Sequence, residues 1–237
     1  VAQLTPSMRA DAGVVISASH NPFADNGIKI FGPDGFKLPD ARESEIEALV
    51  AGAALDEASV TGEHIGGAAQ GGDAPGCYIG LLKSTFPAKR SLDGLKIAVD
   101  AAHGAAYRVA PAVFHELGAD VSALGVRPNG VNINDGVGAL HPEHVREAVL
   151  AEGAAIGVAL DGDADRVIVV DERGDVVDGD VIMALCAQRL LRLDRLPHRT
   201  VVATVMSNLG LERALAARDC QLVRSAVGDR YVVEAMR

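Results

Sequence analysis

The sequence has 237 residues, of which 49% are hydrophobic and 23% are charged, and its formal net charge is −10 at pH 7. These values are normal for a globular protein, and the length allows one large domain or two small ones. The negative charge argues against a nucleic-acid partner, because binding to a phosphate backbone needs clustered Lys and Arg.

Three cysteines, Cys77, Cys186 and Cys220, are scattered along the chain and form no CxxC motif. This pattern predicts reduced thiols and a cytoplasmic protein rather than a disulfide framework. We expect no membrane association, because no stretch has the length and apolarity of a membrane span and no signal-peptide pattern opens the sequence.

Short β-branched runs alternate with helical patterns along the chain. Strands are predicted at 13–17, 95–100, 155–160, 166–171 and 200–206, and helices at 40–52, 105–120, 142–153, 179–192, 208–219 and 229–237. In the first helix Asp40 is the predicted N-cap, with Glu43 three residues on. The alternation predicts an α/β fold with mixed, mostly parallel sheets flanked by helices. The turn at 171–175 is expected to join two antiparallel strands.

Two changes in composition divide the chain. Residues 51–76 are rich in Gly and Ala and lack periodicity, which predicts a loop region, and a polar segment at 194–199 separates a helix from a new strand. We therefore predict three segments, 1–89, 90–193 and 194–237. The last is too short for a complete α/β domain and the chain opens at Val1 without a methionine, so we expect a fragment of a longer protein.

A serine cluster follows the first predicted strand, in 15-VISASHNPFADNGIKIF-31. Ser19 is expected on an exposed turn beside His20, and the turn signal 25-DNG-27 can fold the chain back through Lys29. A serine with a nearby base and a lysine fits phosphoryl transfer. Taken singly, Ser19 also fits an ordinary turn, His20 a surface or capping position, and Lys29 a solvent-facing strand position.

Three carboxylates crowd into 161-DGDADR-166, between two apolar runs. Asp161, Asp163 and Asp165 alternate in a tight loop at the carboxyl end of a strand, where open α/β sheets bind ligands. Their oxygens suit one hard cation, Mg²⁺ or Ca²⁺. A solvated acidic turn is the plainer alternative, but three aspartates after a buried strand favour a metal site.

Other kinds of acidic site share part of this pattern. An EF-hand loop is rejected, because its sixth position requires Gly and Arg166 stands there. A phosphatase of the haloacid-dehalogenase type, with Asp161 as nucleophile, fits the same local pattern and stays open. A non-catalytic metal-binding module is a third hypothesis. No GxxxxGK[ST] motif is present, so a P-loop nucleotide site is not expected.

Together, the serine motif and the acidic motif resemble the α-D-phosphohexomutase superfamily, and within it the bacterial phosphoglucosamine mutases. The stretches 97–121, 129–134, 204–212 and 227–232 are similar to the same family. The resemblance implies repeated α/β domains of a four-domain enzyme: the C-terminal part of domain I at 1–89, domain II at 90–193 and the truncated start of domain III at 194–237.

The implied reaction interconverts glucosamine 6-phosphate and glucosamine 1-phosphate through a phosphoserine and a bisphosphorylated sugar, in amino-sugar and cell-wall precursor synthesis. Ser19 matches the phosphoserine of the family. Asp161, Asp163 and Asp165, with an oxygen of the Ser19 phosphate, match the ligands of one Mg²⁺ per active site.

His20, Lys29 and Arg166 match active-site residues of the family. Lys29 is the first choice for the general acid/base and His20 the second. Asp229 and Arg230 are candidate contacts of the sugar, with a salt bridge at a helix N-terminus as the alternative.

The expected partner is a small-molecule sugar phosphate, and a homodimer is left open. Phosphomannomutase and phosphoglucomutase of the same superfamily are alternatives, because the sugar-selecting loop and the C-terminal phosphate-binding domain of the family lie outside this sequence. The fragment alone is expected to bind Mg²⁺ without mutase turnover.

Overall fold

A computed structural model describes residues 1–52, 59–69 and 71–237, which divide into two units. One unit comprises residues 1–18 and the described part of 24–91, and the other comprises residues 19–23 and 92–237. The short segment 19–23, which contains Ser19, therefore groups with the second unit rather than with its sequence neighbours.

The described residues of the first unit form two strands and three α-helices. They are α1 (Leu4–Ser7), β1 (Gly13–Ser17), β2 (Gly27–Phe31), α2 (Asp40–Ala51) and α3 (Ala74–Thr85). The strands pair antiparallel, with Val15 opposite Lys29. The chain thus folds back after the 25-DNG-27 turn signal, and Lys29 lies in the middle of β2.

Two sequence expectations fail in this unit. Asp40 is the first residue of α2 rather than its cap, and Pro39 occupies the N-cap position without a side-chain cap bond. The negative charge of Asp40 still favours the helix N-terminus through the helix dipole. The predicted loop region 51–76 lies partly outside the described residues, and α3 begins inside it at Ala74, where the Asp73 carboxylate accepts a hydrogen bond of 2.9 Å from the Gly76 N–H.

The second unit is built on a five-stranded mixed sheet. Its strands are β3 (Lys96–Asp100), β4 (Asp120–Leu124), β5 (Ile156–Leu160), β6 (Val167–Asp171) and β7 (Val176–Val177), in the order β4-β3-β5-β6-β7. Strand β3 is parallel to β4 and β5, whereas β5–β6 and β6–β7 are antiparallel. The predicted mixed sheet and the antiparallel turn at 171–175 are confirmed.

One helix packs on each face of this sheet, α4 (Val109–Glu116) on one side and α5 (Pro142–Glu152) on the other. A further helix, α6 (Gly179–Arg192), follows β7. Helix α4 begins four residues later than predicted. Pro111 consequently lies in its first turn, where a missing N–H breaks no helical hydrogen bond.

The core lies on both sides of β3 and β5. Because side chains alternate along a strand, Ile97 and Val99 pack on one side of the sheet while Ala98 packs on the other, against Val145 and Val149 of α5. A Cβ atom added at Gly157 would lie 2.7 Å from Val149 Cγ2. Helix α5 therefore sits close against β5, the strand that leads into the acidic loop.

The second unit ends in a parallel βαβ arrangement. Its elements are β8 (Thr200–Thr204), α7 (Leu209–Ala216), β9 (Gln221–Ser225) and α8 (Asp229–Met236). Leu211 and Leu215 of α7 pack with Ala203 and with Ala187 of α6. The division of the chain into segments 1–89, 90–193 and 194–237 stays a prediction.

Cys77, Cys186 and Cys220 are free thiols, as predicted. Among the described residues, every helix is too short or too polar to traverse a bilayer.

Candidate active site

The acidic loop connects two antiparallel strands. Strand β5 ends at Leu160 and β6 begins at Val167, so the loop comprises only residues 161–166. The Asp161 N–H donates to the Arg166 carbonyl at 3.3 Å, and the Ala164 N–H donates to the Asp161 carbonyl at 3.0 Å. Asp161, Asp163 and Asp165 each offer a carboxylate oxygen, and these three atoms lie within 4.8 Å of one another. The loop is therefore closed tightly enough to turn all three carboxylates towards one point.

Asp161 is the buried member of the three, with a relative exposure of 1%. Its Oδ1 accepts a hydrogen bond of 3.1 Å from the Arg166 N–H, whereas its buried Oδ2 accepts none from the described residues and lies 4.0 Å from Arg166 Nε. Burial raises the pKa of Asp161, the Arg166 N–H opposes this shift, and the charges of Asp165 and Asp163 add to it. A buried oxygen without a donor, beside two further carboxylates, is the environment that a bound divalent cation would stabilise.

The turn that contains Ser19 (residues 19–21, the serine turn) contacts the acidic loop through its backbone. The Ser19 carbonyl accepts a hydrogen bond of 3.1 Å from the Gly162 N–H and one of 2.8 Å from Asn134 Nδ2. Ser19 has a φ of +53°, in the left-handed region that residues other than Gly seldom adopt. The sequence-predicted serine and the sequence-predicted metal loop are thus brought into direct contact.

Gly162 leaves no room for a side chain between the two segments. A Cβ atom added there would lie 2.4 Å from the Ser19 carbonyl oxygen and 2.6 Å from Ile133 Cδ1. The Gly162 carbonyl accepts a hydrogen bond of 2.7 Å from the Ala105 N–H, so this residue is fixed from both sides. A glycine is required because the Ser19 backbone approaches so closely.

Replacing Gly162 with alanine is expected to lower the free energy of unfolding by about 1–3 kcal/mol, because the added methyl group would push the serine turn away from the acidic loop. Gly179→Ala is the matched control, since among the described residues nothing lies within 4 Å of a Cβ atom at this position. Urea denaturation of both variants measures the difference. Equal stability of the two variants would contradict the close approach.

A second buried aspartate supports the site from the end of β3. Asp100 is fully buried, and its Oδ1 accepts a hydrogen bond of 2.9 Å from the Ala102 N–H. Its Oδ2 accepts one of 2.9 Å from the Gly138 N–H and lies 2.7 Å from His144 Nδ1. Asp100 therefore holds together two of the loops that surround the acidic loop. The sequence pattern indicates a role for Asp100, because the apolar run in 96-KIAVD-100 ends in an aspartate, as does the apolar run before Asp161.

The other predicted site residues have different positions. His20 is half-buried, and its Nδ1 has no hydrogen-bond partner among the described residues. Arg166 extends an exposed side chain from the acidic loop. Lys29 is half-buried in the first unit. Asp229 and Arg230 begin α8, where the Asp229 carboxylate accepts a hydrogen bond of 2.9 Å from the Arg230 N–H. Ser19, His20 and the acidic loop share one unit, and the roles of all these residues stay predictions.

Comparison with known families gives one consistent match. The alpha/beta/alpha domain I of phosphoglucomutase/phosphomannomutase matches residues 1–56, domain II of the same family matches residues 78–174, and domain III matches residues 178–237. Ser19 falls in the first match, the acidic loop in the second, and Asp229 in the third.

Curated relatives are similar over the whole chain. The phosphoglucosamine mutase of Sorangium cellulosum (strain So ce56) is 71% identical over 237 residues, and that of Anaeromyxobacter sp. (strain Fw109-5) is 63% identical over 241 residues. Each alignment covers 100% of this chain, but only 49% and 51% of the respective relative. The chain therefore spans about half the length of the curated relatives it matches.

Solved structures share the fold. A phosphoglucomutase/phosphomannomutase family protein from Burkholderia thailandensis superposes with a TM-score of 0.78 at 26% identity. The superposition covers 97% of this chain and 48% of the Burkholderia chain. The N-acetylphosphoglucosamine mutase of Aspergillus fumigatus, crystallised with GlcNAc-6P and magnesium, superposes with a TM-score of 0.67 at 19% identity, covering 98% and 58%.

Proposed function

Because the chain belongs to the phosphoglucomutase/phosphomannomutase family, we propose that it is the serine- and metal-bearing part of a phosphoglucosamine mutase. Such an enzyme is an isomerase that interconverts glucosamine 6-phosphate and glucosamine 1-phosphate. We propose glucosamine rather than mannose or glucose because curated phosphoglucosamine mutases are 58–71% identical to this chain. The proposal rests on this overall similarity, because the chain spans only about half of the length of these relatives.

One observation carries the proposal. The backbone of Ser19 is hydrogen-bonded to the backbone of Gly162, which lies between Asp161 and Asp163 of the acidic loop. Phosphoryl transfer to and from a serine needs a cation beside the phosphate, because the developing negative charge has to be stabilised there. A serine whose backbone is hydrogen-bonded to an acidic loop meets this requirement, because a cation held by that loop would lie beside the serine.

The residues fit a magnesium ion. Asp161, Asp163 and Asp165 supply hard carboxylate oxygens, and the buried Asp161 Oδ2 has no donor among the described residues. An oxygen of phosphorylated Ser19 is the further proposed ligand. When bound, Mg²⁺ would supply Lewis-acid polarisation of the phosphoryl group.

The chain's own groups would carry the transfer. The bond between Ser19 Oγ and phosphorus breaks as a sugar hydroxyl oxygen bonds to phosphorus. The hydroxyl proton passes to a general base, and the freed Ser19 Oγ takes up a proton and becomes a hydroxyl group. The bisphosphorylated sugar then returns its other phosphoryl group to Ser19. We assign the base to Lys29, with His20 as the second choice.

The site carries a high negative charge, which nearby cations have to balance. A phosphoserine carries about −1.5 to −2 charges at neutral pH, in addition to the three aspartates. Arg166 lies at the end of the acidic loop, with Nε 4.0 Å from Asp161 Oδ2, and can balance part of this charge.

Asp229 and Arg230 are proposed to contact the sugar. The enzyme is proposed to act on a free sugar phosphate in the cytoplasm.

The test is a substrate comparison in the full-length polypeptide that contains this sequence. With Mg²⁺ and a trace of hexose 1,6-bisphosphate, glucosamine 6-phosphate is expected to be converted to the 1-phosphate, followed by ³¹P NMR, at least about tenfold faster than mannose 6-phosphate or glucose 6-phosphate. Faster conversion of either competitor would assign the chain to a sister mutase. Release of inorganic phosphate without isomerisation would contradict the mutase.

A further inference from the structure

Asn134 lies where the serine turn packs against other loops of the same unit. It has a relative exposure of 8%, and its side-chain amide uses Nδ2 to donate to two carbonyl oxygens of the serine turn, those of Ser19 at 2.8 Å and Asn21 at 2.9 Å. A primary amide carries two N–H donors, so both are used on this one turn.

The backbone of Asn134 is fixed to the central sheet. Its N–H donates to the Ala102 carbonyl at 3.0 Å, and the Ala102 N–H donates to Asp100 Oδ1 at 2.9 Å. Asp100 is the last residue of β3, which pairs with β5, the strand that carries the acidic loop. The serine turn is thereby connected through Asn134 to the same sheet that positions Asp161.

The serine turn depends on such contacts. Ser19 is in the left-handed region at φ +53°, a conformation that an L residue keeps only when its surroundings hold it there. Its carbonyl accepts two hydrogen bonds, one from Gly162 and one from Asn134. The Gly162 bond joins Ser19 to the acidic loop, and the Asn134 bonds fix the direction of the turn on both sides of His20.

We propose that Asn134 is a positioning residue, which holds the serine turn in place so that the Ser19 phosphate meets the acidic loop in the same geometry at every transfer. This inference rests on the proposed function. Asn134 acts through the backbone of Ser19 and Asn21, so its removal should change the rate of transfer rather than the affinity for the sugar. A misplacement of about 1 Å can slow a reaction on the order of 100-fold.

Asn134→Asp is the sharpest test, because it keeps the shape of the side chain and tolerance of the φ of +59° while replacing the donor with an acceptor that repels the two carbonyl oxygens. Asn134→Gly is the second variant, since glycine keeps the backbone conformation and only removes the amide. The matched control is Asn132→Asp in the same loop. Asn132 Nδ2 donates to the Arg127 carbonyl at 3.0 Å, and the Asn129 N–H donates to Asn132 Oδ1 at 2.9 Å.

In the full-length polypeptide, both Asn134 variants are expected to lower kcat for glucosamine 6-phosphate by about 10- to 100-fold and to change KM less than about twofold. Hydrogen exchange of the Gly162 amide, which donates to Ser19, is expected to speed up about tenfold or more in both variants. The Asn132→Asp control is expected to change each quantity less than about threefold.

Three results would overturn the inference: an unchanged kcat, an unchanged Gly162 exchange rate in the Asn134 variants, or equal effects from Asn132→Asp. A wild-type protein without activity on any sugar phosphate would instead refute the proposed function. In that case the exchange rates alone would still decide whether Asn134 holds the serine turn.

Discussion

Ser19→Ala is expected to lower mutase turnover in the full-length polypeptide by roughly 10⁴-fold or more, the size of effect seen when a nucleophile is removed. Alanine has no oxygen that can carry the phosphoryl group. The hydrogen bonds from Gly162 and Asn134 go to the Ser19 backbone carbonyl, which alanine retains. The variant should therefore fold normally and lose only the chemistry.

Ser17→Ala is the matched control, since it removes the same hydroxyl from the end of β1, two residues earlier. Turnover is measured with glucosamine 6-phosphate and Mg²⁺, and intact mass shows whether the phosphate adduct of the wild-type protein disappears. Full activity of Ser19→Ala would refute the phosphoserine mechanism. If phosphate release alone survives the change, the phosphatase with Asp161 as nucleophile is favoured instead.

Asp161→Asn is expected to weaken Mg²⁺ binding on the order of 100-fold or more, because it removes a full negative charge from the buried member of the acidic loop. Without metal, the same variant is expected to be more stable than the wild type at neutral pH. The buried Asp161 carboxylate has a raised pKa, so the protein gains stability from this group only while it is protonated.

The pH dependence has a definite sign. Below the pKa of an aspartate in the unfolded chain, about 3.9, the contribution of Asp161 is fully present, and it is lost as the pH rises through the raised pKa of the folded state. In EDTA, the stability advantage of Asp161→Asn should therefore shrink as the pH is lowered from 7 towards 4. Added Mg²⁺ should reverse the order, since it binds the folded wild type more tightly and therefore stabilises it more than the variant.

Calorimetric titration with Mg²⁺ and thermal unfolding with and without EDTA measure both effects. Asp175→Asn is the control, because Asp175 lies in the exposed turn between β6 and β7 and pairs only loosely with Arg173, at 3.8 Å. An unchanged Mg²⁺ affinity in Asp161→Asn, or the same loss in Asp175→Asn, would contradict the metal site.

Local patterns were enough to predict the parts of the site that follow directly from a strand. The acidic loop stands between two apolar runs, and these form β5 and β6 as expected. Strand β2 is absent from the predicted strand ranges, and a strand position for Lys29 was only one alternative. The segment opens with Gly27 and carries the charged Lys29 at its centre, so that apolar residues alternate over only a few positions. The capping role of Asp40 was wrong because Pro39, with its restricted φ, precedes the helix.

The residues that position the site could not be predicted in this way. Asn134 and Ser19 are 115 positions apart in the chain, and nothing in the segment around Asn134 indicates which backbone its amide will reach. Asp100 and His144 are separated by 44 positions and meet only once β3 and α5 pack together. Such contacts depend on the sheet order, whereas periodicity reports only on neighbours along the chain.

The two hydrogen bonds on the Ser19 carbonyl also bear on how the protein is made. During synthesis Ser19 leaves the ribosome well before Asn134 and Gly162. The two hydrogen-bond donors to its carbonyl are encoded more than a hundred codons later, so these bonds cannot form until then. Pairings between such remote segments form slowly, because a long loop of chain must first be closed. The reactive hydroxyl is therefore expected to acquire its final setting late in folding, after the sheet that carries the acidic loop has formed.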